Sequence, residues 1–115
     1  MNQSSEEVIV RLKGLTVNRI GEFVPLSQAS FIAASDFVNS CIALNLNCFS
    51  IFAIPDGGVQ FEWRFSQVTV EVDILNSNEI FCCAYRERDD VIDEMHQDNL
   101  GVQEAVNFVI KALRV

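Results

Sequence analysis

Two runs of alternating residues, separated by only two positions, constrain this chain more than anything else in it. In the first, Val59, Phe61, Trp63 and Phe65 alternate with Gln60, Glu62 and Arg64. In the second, Val68, Val70, Val72 and Ile74 alternate with Thr69, Glu71 and Asp73. A period of two sends successive side chains to opposite faces of a sheet. Each run therefore predicts a strand with one apolar and one polar face. Only Ser66 and Gln67 lie between them, so the strands form a hairpin. Its apolar residues then share one face and need a cover. Just upstream, Pro55-Asp56-Gly57-Gly58 marks a turn. Glycine accepts positive φ at little cost, and Pro55 stops the preceding strand from continuing its ladder.

The cover is written in helical period. Ser27 is placed to cap a helix in which Phe31, Ala34, Val38, Cys41 and Ile42 form a stripe, widened by Phe37 and Leu44. Asn45 and Asn47 end it. Val102, Ala105, Val106, Val109, Ile110 and Leu113 recur at helical spacing near the end of the chain, with Phe108 beside them. The first segment, Glu6–Leu15, is ambiguous. Ser4 and Glu7 fit a capping box, and Val8, Leu12 and Leu15 fit a helix, whereas Val8-Ile9-Val10 favours a strand. Thr16 to Pro25 predicts a loop with Gly21 at positive φ.

Phe49 to Ile54 is apolar without strong alternation, which predicts a strand in the interior of the sheet. Asn76-Ser77-Asn78 is a turn, and Ile80–Tyr85 a fourth strand. Arg86 to Asn99 is charged and weakly periodic, which predicts an acidic loop or short helix. These elements make a single α+β domain over residues 1–115. Its core is a four-stranded antiparallel meander sheet, with two N-terminal helices and one C-terminal helix packed mainly on one face. The long connections that parallel strands need are absent, which excludes a doubly wound fold.

Half of the 115 residues are hydrophobic and nine are Phe, enough to bury a core without staples. The net charge of −8 disfavours nucleic acid and anionic lipid and suits a basic protein partner. No apolar run approaches the ~20 residues of a membrane span, and Met1–Glu7 lacks the basic start of a signal peptide. A cytoplasmic location is therefore expected. Cys41, Cys48, Cys82 and Cys83 sit in apolar segments and are expected to be buried thiols. Cys82 and Cys83 point to opposite faces of a strand and cannot clamp one metal.

The run Pro55-Asp56-Gly57-Gly58-Val59-Gln60-Phe61-Glu62-Trp63 resembles the strand motif of a widespread family of small uncharacterised bacterial proteins. In that family a helix and a strand precede Pro-Asp-Gly-Gly-(Val/Ile)-Gln-(Leu/Phe)-Glu-Trp, and a second alternating strand follows. The helix from Ser27 to Leu44 and the strand from Val68 match in placement. The likeness covers roughly the middle two thirds of the chain. Where such proteins often show a Trp-Asp-Gly-like turn before the helix, Asn18-Arg19-Ile20-Gly21 keeps only the glycine. The resemblance implies an α+β fold and no activity. A looser likeness, in size, charge and architecture alone, is to the small acidic dimeric chaperones of bacterial type III secretion.

Chemistry-bearing residues are sparse. His96 is the only histidine. With Asp93 and Glu94 it offers too few ligands at usable spacing, so no metal and no cofactor are expected. Asp56-Gly57-Gly58 lies between strands rather than before a helix, so it is no phosphate loop. Glu62, Glu71 and Asp73 share the polar face of the hairpin, and a small hydrolase would need them to meet His96 in one cleft. Trp63 is expected in the core, the alternative being an exposed anchor in a protein contact. The strand Ile80–Tyr85 has two apolar faces, and symmetric pairing of two chains would bury the second. This points to a homodimer with Phe81, Tyr85, Phe108 and Trp63 as candidate interface residues. The expected function is a non-enzymatic protein-interaction module. The rivals are an acidic chaperone or antitoxin-like protein binding a basic partner, and the hydrolase.

Overall fold

The central hairpin forms in the register that its alternation requires. In the computed structural model, which describes residues 4–17, 24–46 and 49–114, β2 (Val59–Phe65) pairs antiparallel with β3 (Val68–Ile74). Val59 lies opposite Ile74, Phe61 opposite Val72 and Trp63 opposite Val70. All six are fully buried. Phe65, last on the same face, is 46% exposed, because it extends past the helices that cover the others.

The sheet has five strands in the order β1-β2-β3-β4-β5, a meander of antiparallel neighbours. β1 is Ser50–Ala53, β4 is Ile80–Arg88 and β5 is Val91–Gln97. Two expectations are corrected. The stretch after Tyr85 is neither loop nor helix: β4 runs on to Arg88, and Asp89 and Asp90, at φ 52° and 65°, turn the chain into β5. Positive φ at both central residues is the geometry of a two-residue hairpin turn, supplied here without glycine. β1 is an edge strand, not an interior one. Its weak alternation has a local cause: Ile51 and Ala53 are half-buried, whereas Phe52 points to the other face and is 47% exposed.

The first segment is a helix. α1 spans Ser5–Val17, and Ser4 Oγ accepts the Glu7 N–H at 3.2 Å, as a cap should. Val8 and Leu12 are its buried stripe. α2 spans Gln28–Ala43, with the Ser27 hydroxyl capping the Ser30 N–H. It ends at Leu44, and Asn45 takes φ 60° to turn the chain away. α3 spans Val102–Leu113, and Glu104 Oε1 accepts the Gly101 N–H at 2.9 Å. α1 packs on α2, α2 on α3 and β3, and α3 across β3 and β4. Gly21 and Cys48 lie outside the described residues.

The core is therefore the inner face of β2–β4 under α2 and α3. Its aromatic centre joins Phe37 of α2, Phe49, Phe61 and Trp63, with ring centroids 5.2–6.0 Å apart. The Trp63 indole N–H donates to the Leu46 carbonyl at 3.1 Å. Phe108, expected to face sideways or outward, is 4% exposed and packs inside the core.

The Pro55–Gly58 turn is held from two sides. Gly57 takes φ 109°, and a Cβ there would fall 2.4 Å from Asn76 Nδ2. Asn76 is committed elsewhere: its Oδ1 accepts the Ser27 N–H at 2.5 Å, and its Nδ2 donates to the Pro25 carbonyl at 3.3 Å. A Cβ on Gly58 would fall 2.7 Å from the Ile74 carbonyl oxygen. The two glycines thus let the turn lie against the β3–β4 turn and the start of α2.

Candidate functional site

Since α2 and α3 pack on the inner face and α1 packs on α2, no described helix covers the outer face of the sheet, which is the surface available for contacts. Register places its residues in rows. One row crosses β2 to β5 as Glu62, Glu71, Cys83 and His96. A second runs Phe52, Gln60, Asp73 and Phe81, and a third Arg64, Thr69, Tyr85 and Glu94. Between the first two rows lies a hollow of about 280 Å³ lined by Glu71, Asp73, Phe81, Cys83 and His96.

The electrostatics of this face are one-sided. Glu62 and Glu71 lie directly opposite each other, an unfavourable cross-strand pair. Burial, reinforced by Asp73 and Glu62, pushes the Glu71 carboxyl above its usual range, with Arg64 opposing weakly. Burial also raises Asp73, although Gln60 Nε2 donates to its Oδ1 at 2.9 Å. Arg64, exposed, reaches Glu62 at 3.4 Å. His96 Nε2 lies 3.0 Å from Glu94 Oε2, and its ring meets Tyr85 edge-on with centroids 6.4 Å apart.

Cys83, expected to be a buried thiol, is instead half-buried on this face. It sits between Glu71 and His96 in the row, an arrangement suggestive of a thiol nucleophile and its base. Its environment opposes that role. Burial raises the thiol, and Glu71, Glu94 and Asp73 raise it further against a hydrogen bond from Tyr85. Catalytic thiols are instead found in electropositive surroundings that lower them. The signal that could have placed Cys83 is Asp89-Asp90, since a turn there brings His96 alongside it.

The other candidates separate. Glu71, Asp73 and His96 line one hollow, and Glu62 adjoins it across the strand pair. Asp93 alternates to the opposite face from Glu94 and His96, so these three do not converge. Phe81 and Tyr85 are half-buried on the outer face. Trp63 and Phe108 are core residues and cannot serve as surface contacts.

The raised carboxyls fix a pH dependence. Folding holds Glu71 and Asp73 above their ordinary values of 4.5 and 3.8. Their protonated forms are thus favoured in the folded state, and stability present below those values is lost as pH rises through the raised ones. Glu71→Gln should stabilise the domain at neutral pH by roughly 0.5 kcal/mol. The gain should vanish below about pH 4. Thermal unfolding of both proteins from pH 3 to 8 checks this; a neutral variant less stable at pH 7 would contradict it.

No family model, curated protein or solved structure matches the chain. Among the described residues no helix is long and apolar enough to cross a membrane, and no three His, Cys, Asp or Glu side chains are grouped to hold a metal ion.

Proposed function

We propose that the chain is a non-enzymatic cytoplasmic interaction module whose outer sheet face takes basic segments of a partner protein. One observation carries this. Glu62, Glu71 and Asp73 share the outer face beside Phe81 and Tyr85, although burial, with Asp73 and Glu62 adding to it at Glu71, disfavours the charged forms of Glu71 and Asp73 in the fold. A cationic partner favours those charged forms, and aromatic rings supply contact area and cation–π attraction. A face that costs stability when free and gains when occupied is a reason for such a cluster to exist.

Titration of the isotopically labelled chain with a lysine-rich peptide tests it. Amide shifts should concentrate at Glu62, Glu71, Asp73 and Phe81 and fade as salt is added. The Glu71→Gln, Asp73→Asn double variant should bind about tenfold more weakly. Shifts confined to Glu6 and Glu7, or none, would overturn the proposal. Light scattering separates a foreign partner from self-association through Phe81 and Tyr85: a mass near 12.9 kDa leaves the face free.

A second reading, a small hydrolase, draws on the shared hollow of Glu71, Asp73 and His96. Turnover of simple esters or phosphoesters, lost in both Asp73→Asn and His96→Ala, would replace the binding proposal.

A further inference from the structure

The outer edge of β5 is the least protected part of the fold. β5 is last in the sheet, and no described element pairs with its far side. All seven of its residues are exposed, Val91 by 58%, Ile92 by 63% and Met95 by 39%. Exposed edges are usually blunted by proline, charged side chains (lysine above all), a bulge or shortness, and of these β5 has only the acidic Asp93 and Glu94. β1, the other edge, has four residues. β5 has seven, pairs without interruption along β4, and contains neither proline nor lysine.

Its two faces differ. Toward the helices, Met95 borders a groove of about 200 Å³ walled by Ala84 and Ala112, with Arg86, Lys111 and Asp93 also lining it. This side offers apolar walls, and its one carboxylate, Asp93, lies opposite Arg86. Toward the outer face, Glu94 lies opposite Tyr85 and pairs with His96 at 3.0 Å, and Glu87, opposite Ile92, is its diagonal neighbour on β4. Asp89 and Asp90 precede the strand and Asp98 follows it.

We infer that β5 is a docking edge for an extended segment of another protein that alternates basic and apolar residues and joins the sheet as a sixth strand. Main-chain hydrogen bonds to the free edge would provide attachment, and alternate side chains would provide specificity. Basic side chains fall on the Glu94 side and apolar ones enter the groove at Met95. Charge argues against a second copy as occupant, since self-pairing sets Asp89, Asp90, Asp93, Glu94 and Asp98 against their own likeness. The inference rests on the reading of the chain as a module for basic partners and adds a second contact surface, the β5 edge, and the extended conformation a partner segment takes there.

The test uses the full chain and an acetylated, amidated heptapeptide alternating lysine and valine. The expected result is one peptide bound per chain, with amide exchange along β5 slowed about tenfold. N-methylation of one alternate set of peptide nitrogens should abolish binding, and of the other set should leave it unchanged. Glu94→Lys, a change at a half-exposed side chain, should weaken binding about fivefold. Equal binding by a peptide of the same composition in two blocks, insensitive to N-methylation, would overturn the inference. Perturbation only at Glu71 and Asp73, with β5 exchange unchanged, would sink it and leave the function above intact. No perturbation anywhere would sink both. A dimer with β5 already protected in the free chain would assign the edge to a second copy and overturn the inference.

Discussion

Replacing Trp63 with alanine should destabilise the domain by about 4 kcal/mol. Trp63 is fully buried, and its ring meets Phe37 and Phe49 edge-on at 6.0 and 5.3 Å. Truncation removes the largest buried side chain, forfeits both ring contacts and leaves the Leu46 carbonyl without its indole donor. The surrounding groups come from α2, from the connection between α2 and β1, and from β3, so the cavity cannot close by moving one of them. Trp63→Phe keeps most of the volume and should cost about 2 kcal/mol, chiefly from the lost hydrogen bond and residual void. Urea unfolding followed by circular dichroism measures both. A loss below about 1 kcal/mol for alanine would contradict the burial.

The second large effect should come from the turn. Gly57→Ala forces a side chain into φ 109° and against Asn76, whose amide already serves Ser27 and Pro25. Backbone strain and displacement of that amide together should cost about 3 kcal/mol. Gly58→Ala has ordinary φ but meets the backbone oxygen of Ile74, which cannot rotate away, and should cost about 2 kcal/mol. Asn76→Ala separates the two causes. In its background the Gly57 penalty should fall, whereas the Gly58 penalty should persist. Chemical unfolding of the three single and two double variants checks this; an unchanged Gly57 penalty would assign all of it to φ.

The parts of the fold legible in the sequence are those where one face of an element is buried. β2, β3 and α3 each write their burial as a period of two or of 3.6, and their limits follow from it. β5 was illegible for the opposite reason. With neither face buried, Val91-Ile92-Asp93-Glu94-Met95-His96-Gln97 carries no stripe, and its turn uses aspartates where glycine would have signalled it. β1 misled because a continuous apolar run describes an interior strand as well as an edge strand with apolar residues on both faces. The outer-face carboxylates were legible as a set, because Glu62 takes the polar alternate of one strand, Glu71 and Asp73 that of the next, and a hairpin puts both alternates on one face. Cys83 joined them through the β3–β4 register, and His96 only through that of the unseen strand.

The bare state of β5 also divides the domain energetically. Sub-global openings cost only what the opened segment buries, and β5 buries little. β5 should therefore detach from β4 and reattach many times for each global unfolding event, while β2, β3, β4 and α3 stay closed. The sheet that withstands denaturant is then the four-stranded one, and the fifth strand is a fluctuating margin whose occupancy a neighbouring molecule could set.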